Sequence, residues 1–299
     1  MASEGHSDGS SEHRMPPPGR VRLHQDRFPG EPVLDTAVSH ALLRRVASGA
    51  EPESLRIYTP ENVLLFSSLD ARRPGFARAV EIARAAGFEA VIRLAGGHAA
   101  AFLCESIAFA WARPDPDAHL HIRPRFEHLA EWIRASLARL GLDARIGPLP
   151  GEYCSGEFSV NLAGRVKVMG VGQRVIRGGA HVGGVLTLAQ SETLRAVLIP
   201  IYEALEIEFR PETAGGLRDL EPDLEVETVL DSMAQVLRQQ GYELEPHRFD
   251  DALRSDAERL CPLHLPERDG ALGSLLRPGA RAGSSKVFFH HDRDDPSTG

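Results

Sequence analysis

Between residues 151 and 188 the chain reads GEYCSGEFSVNLAGRVKVMGVGQRVIRGGAHVGGVLTL, and no other stretch limits the possible folds as strongly. Its nine glycines punctuate short alternating runs, a period of two that suits strands rather than helices. Phe158, Val160 and Leu162 alternate up to Ala163-Gly164, and Val166 and Val168 resume beyond it, which predicts a hairpin. Residues 173–177 and 181–188 read as two further strands around Gly178-Gly179. A chain with this centre needs a sheet, and the remaining segments must cover it.

Upstream, Val38, Leu42, Leu43 and Val46 share a helical face, with Asp35 as a plausible N-cap and Gly49 as a stop. Strands are expected at 56–59, 62–67, 90–95 and across 99–111, with a helix over 74–86 closed by Gly87. The prolines of 113–123 predict a loop, and Phe126, Leu129, Ile133, Leu137 and Leu140 a helix ended by Gly141. Further helices are expected at 194–205 and 226–237, with a third about 248–260. Hairpins broken by helices, without regular βαβ alternation, give an α+β class with a mixed, largely antiparallel sheet flanked by helices. Residues 1–28, polar and rich in Ser, Gly and Pro, are expected to be a disordered tail. The expected divisions are a main domain over 29–220, a small helical region over 221–262 after a Pro- and Gly-containing link, and an irregular tail over 263–299.

The 299 residues, 42% hydrophobic, suffice for a large core. A formal charge of -8 argues against nonspecific binding to nucleic acid or anionic lipid. Neither a membrane-length apolar run nor a signal-peptide pattern is visible, so a cytoplasmic location is expected. Three cysteines, Cys104, Cys154 and Cys261, are judged singly as reduced thiols.

Of 34 Lys and Arg residues only two are lysines, Lys167 and Lys286. A solvated cation could have been arginine at little cost; a buried or reactive amine could not. Alternation sends Lys167 away from Val166 and Val168, to solvent or into a cleft, and the lysine count favours the cleft. Cys154 lies in a glycine turn off any apolar periodic face, whereas Cys104, inside an apolar strand, fits a small buried hydrophobe. A cation beside a turn-borne thiol favours the nucleophilic thiolate, and Lys167 is the candidate; it could also serve an oxyanion or a leaving amine. His181 opens an apolar strand and is either a core histidine or a substrate contact. Gly96-Gly97 is either a turn or a backbone approached by ligand. His119, His121 and His128 lack metal-ligand spacing, so no metal is expected. Gly170 and Gly172 form no phosphate-binding motif; glycines beside apolar strands suit a slot for an extended apolar ligand.

These residues resemble a known superfamily, that of biotin ligases, lipoate–protein ligases and octanoyltransferases, over about 34–241. Arg93-Leu94-Ala95-Gly96-Gly97-His98 is similar to its substrate loop, Lys167-Val168-Met169-Gly170-Val171-Gly172-Gln173 to its lysine signature, and 181–188 to the histidine strand that follows. Tyr153-Cys154-Ser155-Gly156 resembles the Tyr-Cys-Pro-Gly of the octanoyl amidotransferases, with Ser155 in place of proline. The resemblance implies Cys154 as acyl-carrying nucleophile and Lys167 at the acyl carboxyl end. It implies substrate contacts from Arg93, Gly96, Gly97, His98, Gly170, Gln173 and His181. The implied reaction moves an octanoyl or lipoyl group, without cofactor, to the lysine of a lipoyl domain of a 2-oxoacid dehydrogenase E2 subunit or of glycine cleavage H protein. The alternatives are a ligase using ATP and Mg2+, or a non-catalytic acyl- or partner-binding member. The segment from Ala99 to Phe109, AAAFLCESIAF, lacks the His, Asp and Gly-Asn of the adenylate-forming branch.

Overall fold

The computed structural model describes residues 17–267. Its elements run β1 (Arg20–His24), α1 (Pro32–Ser48), β2 (Ser54–Tyr58), β3 (Val63–Phe66), α2 (Phe76–Ala85), β4 (Glu89–Ile92), β5 (Ala100–Phe102), β6 (Ser106–Pro114), α3 (Ile122–Arg139), β7 (Ala144–Ile146), β8 (Val160–Leu162), β9 (Val166–Ile176), β10 (Gly179–Thr187), α4 (Ser191–Ala204), α5 (Val226–Gln239), β11 (Glu243–Pro246) and α6 (Asp251–Leu260). Eight strands form one sheet in the order β11-β1-β2-β6-β10-β9-β8-β7, and β4-β3-β5 form a second, smaller one. Only the pairings of β1 with β2 and β11 are parallel in the large sheet; its centre, β6-β10-β9, is a long antiparallel ladder. This is the mixed, largely antiparallel α+β architecture expected.

Side-chain alternation separates the faces of the large sheet. Ile107, Phe109 and Trp111 of β6 and Val182 and Leu186 of β10 point to α3 and α5, where they meet Leu129, Trp132, Ile133, Met233 and Leu237 in the main core. Trp132 caps that packing by donating its indole N–H to the Met233 carbonyl at 2.9 Å. The other face carries Ala112 against α1 and α6.

Several boundaries differ from those read in the sequence. Residues 20–24 are a strand between β11 and β2, so the stretch 1–28 is not uniformly a tail; residues 1–16 lie outside the described residues. The tail composition hid β1 because it is only five residues long and its partners are far away in sequence. Asp35 is no cap. Helix α1 starts at Pro32, whose fixed φ and missing N–H suit a first helical position, and Asp35 is buried against the Arg56 guanidinium. Strand β6 runs on to Pro114 into the expected loop. Residues 166–176 form one strand rather than two, since Gly170 and Gly172 pair with β10 instead of turning the chain. No boundary falls near Glu221: α5 completes the main core, β11 extends the sheet through β1, and α6 packs on α1. Residues 261–264 form a helical turn with His264 buried, and residues 268–299 lie outside the described residues.

Candidate active site

Cys154 sits at the junction of the two sheets. Its turn, between β7 and β8, belongs to the large sheet, and the loop that meets its sulfur, residues 93–98, joins β4 to β5 of the small one. Cys154 adopts φ 41°, a left-handed conformation uncommon for a side-chain-bearing residue and stable only where its surroundings impose it. Those surroundings are visible. The Cys154 N–H donates to the Tyr202 hydroxyl at 2.7 Å, which in turn donates to the Ala99 carbonyl at 2.8 Å. The Tyr153 and Cys154 carbonyls each accept from Lys167 Nζ at 2.8 Å.

Lys167 is fully buried, as the lysine count suggested, and its third proton goes to Glu152 Oε1 at 3.0 Å. Glu152 in turn accepts from Ser159 Oγ, Gly156 N–H and Leu149 N–H, so one carboxylate ties both ends of the turn to the ammonium. Register explains the direction of Lys167. Between β8 and β9, Val160 faces Met169 while Asn161 faces Lys167, an extra residue at Val168. A bulge of this kind puts two successive side chains on one face. Val168 and Met169 both enter the main core, and Lys167, Gly170 and Gly172 share the opposite face.

The Cys154 sulfur faces different donors. Arg93 Nη2 lies 3.3 Å and the His98 backbone N–H 3.2 Å from Sγ. Burial pushes the thiol up; the charges of Arg93 and Lys167, with the hydrogen bonds from Arg93 and His98, outweigh it and bring the pKa below the ordinary thiol value. The principal cation at the sulfur is therefore Arg93, not Lys167. Arg93 Nη2 also donates to the His98 carbonyl at 2.7 Å, while its Nε is buried and has no hydrogen-bond partner among the described residues.

A slot leaves the sulfur along the sheet face. Gly170, Gly172 and Gly183 form its floor with Ala110, between walls from Tyr58, Phe102 and Val185. His181 lines it too; burial lowers its pKa to about 4, and its Nδ1 has no partner among the described residues. A Cβ on Gly172 would stand 2.8 Å from Ala95 Cβ, so glycine keeps the slot open there.

The structure thus gathers Cys154, Lys167, Arg93, Gly97, His98, Gly170 and His181 around one site. Gly97 meets the thiol itself. At φ +94° a Cβ on it would lie 2.7 Å from both Sγ and Arg93 Nη2, so it abuts the thiol rather than the apolar slot. Gly96 has open space where its Cβ would be. Gln173 is not brought to the site: it points to α3, donating to the Ile122 carbonyl at 2.8 Å and accepting from Arg125 Nε at 3.1 Å. Cys104 is exposed in the turn between β5 and β6, not buried in a strand. His121 pairs with Asp115, and no cluster of metal ligands occurs among the described residues. Glu152, Tyr202 and Asp70 were missed by sequence reasoning; only Glu152, adjoining the cysteine turn, carried any local signal.

The catalytic-domain model of lipoyl protein ligases A and B matches residues 31–238. The chain belongs to this family. Among curated relatives, octanoyl-GcvH:protein N-octanoyltransferase of Geobacillus kaustophilus is 28% identical over 163 residues, 54% of this chain and 57% of its own length. The enzyme of the same name from Bacillus velezensis is 26% identical over 203 residues, 68% of this chain and 69% of its own. The chain thus spans little more than half of the first of these relatives. The fold is shared with an ATP-bound lipoate-protein ligase A, at TM-score 0.69 and 20% identity over 86% of this chain and all of that one. It is shared also with a bipartite lipoate protein ligase of Thermoplasma acidophilum, at TM-score 0.66 and 18% identity over 87% and 98%. No helix among the described residues is long and apolar enough to cross a membrane.

Proposed function

We propose that this protein is an octanoyltransferase of protein lipoylation that carries the acyl group on Cys154 as a thioester. One observation carries the reading: a thiol held by Arg93 and the His98 N–H opens onto a glycine-floored apolar slot. A thiolate at that mouth attacks an acyl carbonyl whose chain lies along Gly170, Gly172 and Gly183. The Arg93 Nε–H, the unspent donor at the thiol, is suited to the developing oxyanion. Lys167, with all three protons engaged, holds the turn that presents the nucleophile. The names of the relatives support octanoylated GcvH as donor, and the E2 lipoyl domain with which the bipartite ligase is paired supports a lipoyl-domain lysine as acceptor.

Intact mass is the direct test. Incubation with an octanoylated carrier domain adds one octanoyl unit to the wild type and none to Cys154→Ser, and a lipoyl domain then discharges it. Labelling that survives Cys154→Ser, or that requires ATP and free acid, would overturn the thioester route.

A further inference from the structure

Acyl transfer between two lysines poses a proton problem. An amide nitrogen must gain a proton to leave, and an incoming amine, from a lysine with a pKa near 10.4, must lose one as it attacks. Lys167 is not free to handle it, because its three protons are donated to Glu152 and two backbone carbonyls inside a closed turn. Arg93 stays protonated throughout. The Tyr202 hydroxyl is engaged between the Cys154 N–H and the Ala99 carbonyl.

Of the two histidines at the site, burial lowers the pKa of His181 to about 4, which leaves it no imidazolium to serve a departing amine at neutral pH. His98 remains, and the structure equips it. Its backbone N–H touches the sulfur at 3.2 Å, so its side chain starts from the site itself. Its Nδ1 lies 2.9 Å from Asp70 Oδ1. Asp70 is fully buried, and its other oxygen accepts the Ser67 N–H at 2.9 Å and Ser67 Oγ at 3.0 Å, which fixes the carboxylate. A carboxylate on Nδ1 keeps the proton there and leaves Nε2 as the exchanging nitrogen. About a third of the His98 side chain is exposed, so the ring is not sealed inside the protein.

We propose that His98, oriented by Asp70, is the general acid and base of the reaction, an inference resting on the acyl-transfer reading above. In loading, the Cys154 thiolate bonds to the acyl carbon, the C–N bond breaks, and the departing lysine nitrogen takes the Nε2 proton. That leaves a thioester, a neutral amine and a neutral imidazole. In discharge, an acceptor lysine that has lost one proton to solvent attacks the thioester and passes a second to Nε2. The C–S bond breaks, and thiolate and imidazolium are restored.

The leaving group supplies the test. A thioester donor departs as a thiolate and needs no acid, whereas an amide donor does. Acyl-enzyme formation by His98→Gln is measured by rapid quench and intact mass with an octanoyl thioester and with an octanoylated carrier domain. Expected is loading within a few-fold of wild type from the thioester, at least a hundredfold loss from the amide, and equally slow discharge to a lipoyl domain. Asp70→Asn, which retains the imidazole, should show the same donor dependence at smaller size. Added imidazole should restore amide loading to His98→Ala. Equal losses from both donors would make His98 a support for the loop and overturn the proposal, as would unimpaired amide loading. A wild type that loads from neither donor would instead remove the acyl-transfer reading, and this inference with it.

Discussion

Replacing Arg93 by glutamine is the most informative single change, because it separates the two cations on which Cys154 depends. Arg93 Nη2 reaches the sulfur itself at 3.3 Å, whereas Lys167 Nζ reaches the carbonyl of the same residue and shares its charge with Glu152. A hydrogen bond to a charged group is worth about 1.5–3 kcal/mol. With one pKa unit equal to about 1.4 kcal/mol, its loss should raise the Cys154 pKa by roughly one to two units. The sign follows from the thiolate being the form Arg93 stabilises: at any pH below the wild-type value the variant holds about ten- to a hundredfold less thiolate, and alkylation slows in proportion. The assay is the pH dependence of iodoacetamide alkylation in a Cys104→Ser, Cys261→Ser background, needed because Cys104 is exposed and would react in parallel. Arg93→Lys keeps the charge without the fork and should fall between. A Cys154 titration unmoved by Arg93→Gln, in a folded protein, would refute this account of the thiol.

Lys167→Met strands Glu152 in the core. Removing one partner of a buried pair costs about 3–5 kcal/mol, and the three other hydrogen bonds to Glu152 put this case at the lower end, a fall in Tm of roughly 6–12 °C by calorimetry. A melting temperature within 2 °C of wild type, measured roughly, would deny the clamp its role. Lys167→Arg should lose transfer on the order of a hundredfold, since a planar fork cannot meet three acceptors arranged around one ammonium. Near-wild-type transfer would count against that geometry. Gly172→Val fills the slot floor and should block loading of octanoyl while sparing alkylation by small reagents; equal effects on both would place the acyl chain elsewhere.

The period-two pattern around Val160 to Leu188 revealed the central strands, and helical stripes revealed α3, α4 and α5, with glycines closing α3 and α5, because each signal is local. What failed was non-local. Strand β1 exists through pairing with β11, some 220 residues away, and although the helix at 251–260 was expected, its packing on α1 could not be read. At the site, composition alone singled out Lys167, and the glycine turn singled out Cys154. The role of Arg93 at the sulfur could not be read, because nothing in 93–98 states that its loop folds back on a turn about sixty residues later. Gln173 was drawn in by the lysine motif, yet alternation after the bulge turns it to the far face.

The seam between the two sheets has its own consequence. The sulfur and Lys167 come from one sheet and the two donors that touch the sulfur from the other, so neither half alone holds the full set that acidifies the thiol. A nascent or loosened chain carries a less acidic cysteine, slower to acylate or oxidise, and the activated nucleophile comes into being only once the interface between the sheets is closed. Chemical reactivity at Cys154 is thereby a certificate of complete assembly, withdrawn as soon as the sheets part.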